Sequence, residues 1–421
     1  MKKAITISLS PNTQCDDVLR AWKVLLTPWS WRNGKAKQRV HTLLKKEFPQ
    51  HSIHTAFSGR SCLYALLKAF NIQSGDEVLV QSYTCVAVPG PILWTGAQPV
   101  YVDIDPNTLN MSPEDLQKKI SPHSKVLIIQ HTLGNPANIE ELIRIARQHK
   151  LLIIEDCAHA FGAQYHDKPV GTFGDAAFFS FGRDKVISSV FGGFLIIQDH
   201  VISEKIELLM KQYYITPSYF WIIQQLLHPI IFAFAKPLYG VWKIGKGIVE
   251  ISKRFRLTSK AVYASEKQGK QMHFIQMQFP NALAQLAEKQ LKKIQQYNHH
   301  RKIIASLYNE YLDFQYSKPV TILPDADSIY LRYTITTPYA QQLMKRLRKY
   351  EIYLGDWYTT GIAPQKTNYK AIKYEPSQCP EAEKIAPLTV NLPTHIGISK
   401  ESAIMLARLI NQELQLLSSH S

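Results

Sequence analysis

Residues 151–193 read LLIIEDCAHAFGAQYHDKPVGTFGDAAFFSFGRDKVISSVFGG. An apolar run stops at an acid, Asp156. A second run, AAFFSF (176–181), carries Ser180 and is followed by Lys185 and the Gly192–Gly193 pair. Short runs of this character, bounded by glycine and polar residues, predict buried strands. Working outward, EVLVQ (77–81), PVYVDI (99–104), KVLIIQ (125–130) and GFLIIQ (193–198) have the same signature. Helical segments such as SPEDLQKKI (112–120) and IEELIRIARQHK (139–150) lie between them. This alternation predicts an α/β fold, a mostly parallel central sheet flanked by helices.

The chain has 421 residues, long enough for a large domain and a smaller one. The expected division is an N-terminal arm (1–50) with Trp22, Trp29 and Trp31, a large α/β domain (51–295) and a small C-terminal α/β domain (296–421). A long helix is expected over 281–313. In the small domain, a strand is expected near YLRYTITT (330–337) and helices at AQQLMKRLRKY (340–350) and ESAIMLARLINQEL (401–414). The five cysteines are dispersed, with no metal-ligand spacing, so neither a disulfide framework nor a metal site is expected and a reducing, cytoplasmic setting is. Lys2 and Lys3 precede too short an apolar run for a signal peptide. The net charge of +16 suits anionic small molecules or an anionic membrane surface; with no nucleic-acid fold signature beside it, no nucleic-acid partner is expected.

Residues 211–260 interrupt the rhythm. No formal charge falls between Lys211 and Lys236, a span containing SYFWIIQQLLHPIIFAFA. Lys236, Lys243, Lys246, Lys253, Arg254, Arg256 and Lys260 then face a single acid, Glu250. Three readings are open: an insertion buried in the fold or a dimer, a peripheral membrane contact through 212–260, or a membrane span interrupted by Gln224, Gln225, His228 and Pro229.

Lys185 follows an apolar strand, where partial desolvation lowers an amine's pKa and lets it attack a carbonyl; a solvated loop lysine is the plain alternative. Asp156 ends a strand, where open α/β sheets place ligands, and could equally cap a helix. His159 can stack on a ring or be a structural core histidine. Ser180 can bond a phosphate held at a helix N-terminus, and Ser58, Gly59, Arg60 and Ser61 open such a helix. An amine for an aldehyde, an acid for a ring nitrogen and a hydroxyl for a phosphate are what pyridoxal phosphate requires of a protein.

Together SGRSCLYALL, GDEVLV, GAQPVYVDID, QHTLGNP, IEDCAHAFGA, VGTFGDAAFFSFGRDKVISSVFGG and VNLPTH resemble the DegT/StrS sugar aminotransferases, pyridoxal phosphate enzymes of fold type I. The resemblance implies that Lys185 is the Schiff-base lysine and Asp156 the partner of the ring nitrogen. It also implies that His159 lies beside the cofactor, that Ser180 binds phosphate, and that Gly59–Arg60–Ser61 forms the phosphate turn, with Arg60 where Thr is common. Cys85 stands where the family often has an aromatic residue, which leaves Tyr83 or His159 to stack on the ring. An Asn-x-Arg element offered to the partner subunit becomes Gln276-Met277-Gln278. The implied activity is transfer of an amino group, from glutamate, to a nucleotide-linked keto sugar by a homodimer. Alternatives are a sugar dehydratase of the same fold, which lacks the lysine, and a non-catalytic membrane-associated homologue. Trp357 and Tyr358 are candidate substrate-pocket residues.

Overall fold

The computed structural model describes residues 4–242, 244–272 and 275–419; Lys2, Lys3 and Lys243 lie outside the described residues. Seven strands form the central sheet: β1 (Ser52–Ala56), β2 (Glu77–Gln81), β3 (Gln98–Val102), β4 (Ser124–Gln130), β5 (Leu152–Asp156), β6 (Ala176–Ser180) and β7 (Gly193–Ile197). Their order is β1-β7-β6-β5-β4-β2-β3, and β7 alone runs antiparallel to its neighbours. Because helices cover both faces, the central strands are buried on both sides and read as nearly unbroken apolar runs. Phe179 and Phe194 stack at 4.3 Å on one face of the sheet, while Phe178 and Leu195 enter the core on the other.

The arm contributes α1 (Cys15–Leu25) and α2 (Ala36–Glu47), whose Ala21, Val24, Val40 and Leu44 belong to the main core. Ahead of α1, Ile5–Thr6 pairs with Ile352–Tyr353 of the C-terminal region. Further along, the Asn12 amide donates to the backbone carbonyls of Lys185 (2.7 Å) and Val186 (3.0 Å). Helix α3 (Gly59–Ala69) starts where expected, with the Ser58 hydroxyl accepting the Ser61 N–H.

In the charge-free segment, α4 (Tyr219–Ala235) packs on α1 of the arm, and α5 (Ile244–Arg254), in the basic stretch after it, packs on α4. Trp221 of α4 sits against Phe57 and Phe191, with Ile222, Leu226 and Ile230 in the same core. Among the described residues, no helix is long and apolar enough to cross a membrane. One face of α4 is buried and the other is not.

The helix expected over 281–313 is two: α6 (Asn281–Leu291) and α7 (Ile294–Tyr311). The residues at the break are good helix formers, but Lys293 leaves helical geometry (φ −110°, ψ 1°) and its ammonium bonds Asp16 and Asp17 of α1 at 2.9–3.0 Å. Tertiary anchoring overrides local propensity here. Ile294 and Tyr297 of α7 pack in the large core, and Ile304 and Tyr308 in the small one, so a division at 295 falls inside a helix shared by both. The small sheet is β8 (Lys318–Pro319), β9 (Tyr333–Thr336) and β10 (Thr389–Leu392), antiparallel in that order.

Candidate active site

Asp156 and Ser180 end adjacent parallel strands, and α3 begins beside them. Gly193 makes this approach possible: a Cβ there would lie 2.6 Å from the Gly59 nitrogen and 2.7 Å from the Phe179 oxygen. The strand ends, the start of α3 and a loop of the C-terminal region enclose a cavity of about 530 Å³. Gly59, Arg60, Cys85, Asp156, His159 and Ser180 line it, as do Lys185, Trp357 and Tyr358.

Burial sets the protonation states. It lowers the Lys185 amine to about 8, with Arg332 and Arg60 pushing the same way and Asp156 and Cys85 opposing. It raises the Asp156 carboxyl, against the Ala158 N–H at 2.9 Å and the Lys185 charge. It holds His159 well below the usual imidazole range, helped by Lys185 and Arg332. The Leu133 N–H donates to His159 Nδ1 at 3.3 Å, so the neutral ring carries its proton on Nε2. Burial also raises the Cys85 thiol, which keeps it un-ionised at neutral pH.

His159 stacks on Trp357 (centroids 5.2 Å, 17° between planes) and faces Tyr358 at 6.4 Å. On Trp357 lies the Arg332 guanidinium, 3.4 Å from the ring centroid, and Lys185 Nζ stands 5.2 Å from the same ring. Asn391 Oδ1 fixes this column by accepting from the Trp357 N–H (2.9 Å) and from Arg332 Nη1 (3.3 Å).

Three expected residues sit differently. Tyr83 is buried behind the cavity, where its hydroxyl accepts the Tyr358 N–H (3.0 Å) and reaches Thr389 (3.1 Å); it braces the loop and does not face a ligand. Ser61 is buried in the cap of α3, bonded to Ser58, and does not line the cavity. Arg60 borders the cavity, but its guanidinium is held by Glu266 and the Ala261 carbonyl, so a phosphate there would have to compete with a strong internal partner. Gln278 bonds the Tyr214 carbonyl at 3.0 Å, inside its own chain.

The structure adds residues that the sequence reading passed over. Arg332 interrupts an apolar strand start, a signal visible in YLRYTITT. Arg183 and Asp184, just before Lys185, line the cavity too, as do Lys267 and Lys366. A separate buried group, His131, Glu155 and Cys157, has metal-like spacing. Its atoms are already engaged: Glu155 accepts the N–H groups of Gly171, Phe173 and Gly174, and His131 Nδ1 accepts that of Ala137. It is structural.

Comparison with known proteins shows the fold and the family. GDP-perosamine synthase of Escherichia coli O157:H7 is 38% identical over 177 residues, covering 42% of this chain and 49% of that protein. The chain thus spans about half the length of that curated relative. A pleiotropic regulatory protein of Geobacillus stearothermophilus is 26% identical over 82% of this chain and 80% of its own. Helicobacter pylori PseC, an aminotransferase involved in pseudoaminic acid biosynthesis, superposes with a TM-score of 0.76 at 20% identity, covering 98% of this chain and 100% of PseC. The aminotransferase TlmJ of Streptoalloteichus hindustanus gives 0.75 at 18%, over 98% and 100% of the two chains. At such identities these two likenesses establish the fold. With residues 16–215 and 246–410 matching its sequence pattern, the chain belongs to the DegT/DnrJ/EryC1/StrS aminotransferase family.

Proposed function

We propose that this chain is a pyridoxal phosphate-dependent aminotransferase that passes an amino group from glutamate to a nucleotide-activated keto sugar, in the making of polysaccharide or glycan precursors. The observation that carries the reading is the convergence, in one cavity, of a desolvated amine, a buried carboxylate, a hydroxyl beside a helix N-terminus and an aromatic column. That donor set fits the cofactor: of the Asp156 oxygens only Oδ1 has a protein partner among the described residues, and Lys185 opens onto the same space. When bound, the cofactor supplies an aldehyde that takes up amines and a ring that accommodates the electron pair left at the substrate carbon.

The chain's own residues do the rest. Lys185 would hold the aldehyde carbon and, once released, move the proton from the nitrogen-bearing substrate carbon to the carbon that came from the aldehyde, and in the opposite direction when the keto sugar takes the amine. An amine at about 8 is partly neutral near pH 7 and can do both. Asp156 would keep the ring nitrogen protonated. Ser180 and the N-terminus of α3 would hold the phosphate, and neutral His159, locked by Leu133 and Trp357, would cover the ring. Arg183, Lys267 and Lys366 give the cavity the charge to receive a diphosphate. Relatives in Escherichia coli O157:H7, Vibrio cholerae and Caulobacter vibrioides named GDP-perosamine synthase support a sugar-nucleotide acceptor. Five unpaired cysteines support a cytoplasmic setting, and the resemblance supports a homodimer. The lysine favours amino transfer over the dehydratase alternative, and the intact Asp156, Ser180 and Lys185 speak against a non-catalytic homologue.

The test is to reconstitute the full chain with pyridoxal phosphate and add glutamate. Expected are visible absorbance that glutamate bleaches and stoichiometric 2-oxoglutarate, both absent in Lys185→Ala. A chain that neither retains the cofactor nor yields 2-oxoglutarate overturns the reading.

A further inference from the structure

The family match stops at residue 215 and resumes at 246, so α4 and the turn after it lie outside the matched residues. Their outer surface is unusual. On α4, Phe220 and Phe234 are exposed, Phe234 to 62%, and Ile223, Leu227 and Ile231 lie half-buried between them at helical spacing. A second apolar row on α5 comprises Ile244, Ile248 and Ile251 and continues to Phe255, which is 68% exposed. The rows adjoin, because Ile231 and Ile248 pack on the same small cluster of Phe232, Ala235 and Val249. On the other flank, α4 packs against α1, and Ile223 of α4, like Val18 and Leu25 of α1, lies half-buried on the main core, while Trp22 of α1 is exposed. Arg32 bonds the Pro217 carbonyl at 3.2 Å and covers the Tyr219 ring, tying the end of the arm that carries exposed Trp29 to the start of α4. Between α4 and α5, Trp242 is 93% exposed.

We propose that this face docks on the surface of an anionic lipid bilayer, lying in the headgroup layer without crossing it. Charge selects this occupant. Lys253, Arg254, Arg256 and Lys260 are exposed beside the apolar rows, with Glu250 the one acid between residues 208 and 265. A second copy seated on this face by twofold symmetry would bring two such cationic edges into one interface, with one acid from each copy to offset them. A bilayer offers the opposite charge and an apolar layer beneath it, which suits an aromatic and aliphatic face edged with lysine and arginine. The segment also reaches the cavity: Arg183 bonds Ser259, which donates to Gln225 of α4, and Ala261 and Val262 line the cavity wall. Docking therefore places the cavity beside the lipid surface.

Vesicle flotation of the full chain tests this without depending on turnover. The wild type is expected to float with vesicles of equal parts phosphatidylcholine and phosphatidylglycerol and to remain below with phosphatidylcholine alone. Added salt should weaken the interaction. Replacing Lys253, Arg254 and Arg256 together by Gln is expected to weaken it roughly a hundredfold. Phe234→Ser with Trp242→Ser and Phe255→Ser should weaken it at least about tenfold, with circular dichroism unchanged in both variants. No flotation on anionic vesicles, or equal flotation of wild type and variants, overturns the proposal. So does a wild type that does not float but sediments as a larger oligomer than the Ser variant, which would make the face a contact between copies.

Discussion

The segments Leu152–Ser180 and Tyr219–Phe255 are both rich in apolar residues, yet they place them differently. In the first, β5 and β6 lie inside a covered sheet, and the polar residues at the strand ends have fixed partners and protonation states set by burial. In the second, one face of α4 completes the core through Trp221, while the other is also apolar but half-buried in its middle and exposed at Phe220 and Phe234. The first arrangement is what catalysis needs: few groups, desolvated and immobile. The second is wasteful for a free-standing soluble helix, because apolar area left in water forgoes its stabilisation. It becomes economical once something covers it.

The comparison can be broken or sharpened by measurement. Lys185→Ala should lower amino transfer by roughly a thousandfold or more, with stability little changed, because it removes the reacting amine; a steady-state assay beside urea unfolding decides. Trp221→Ala, on the inner face of α4, should cost about 3–5 kcal/mol in urea unfolding, as expected for a large buried aromatic. A smaller effect comes from pH. The folded Lys185 amine, at about 8, holds its proton less tightly than in the unfolded chain, so the burial penalty is fully present below pH 8 and fades as pH rises above it. Cofactor-free protein should therefore gain stability as pH rises from 8 towards the ordinary lysine value, and Lys185→Met should lack that slope. Smallest of all, Phe234→Ser on the outer face of α4 should change stability by no more than about 0.5 kcal/mol while still weakening flotation. A large loss there would mean the outer face is structural.

Much of the large domain was legible because parallel strands buried on both faces leave a plain trace. LLIIE and AAFFSF marked β5 and β6 to within a residue or two, and the polar residues just past them lie in the cavity. The far wall was less so. Trp357 and Tyr358 could be suspected as aromatics in a loop, but the Arg332–Trp357–His159 column joins three distant segments through Asn391, and no local pattern announces that. Tyr83 and Ser61 looked available because they neighbour pocket residues in sequence; only the direction of their hydroxyl groups shows that they brace the wall from behind. The break at Lys293 was hidden for a similar reason, since its cause is a pair of aspartates more than 270 residues earlier.

The Asn12 contact carries a mechanical meaning. The first described residues pair with the C-terminal region at Ile352–Tyr353, and a few residues later the same strand of chain grips the carbonyl of Lys185 itself. Arg301, buried in α7, clasps Asn12 Oδ1 and the Val186 carbonyl from the other side. The arm is thus a tie-rod between the C-terminal unit and the reactive loop. Removing the arm would strip the Lys185 carbonyl of its amide donor and leave Arg301 Nη2 with the Val186 carbonyl in place of two acceptors.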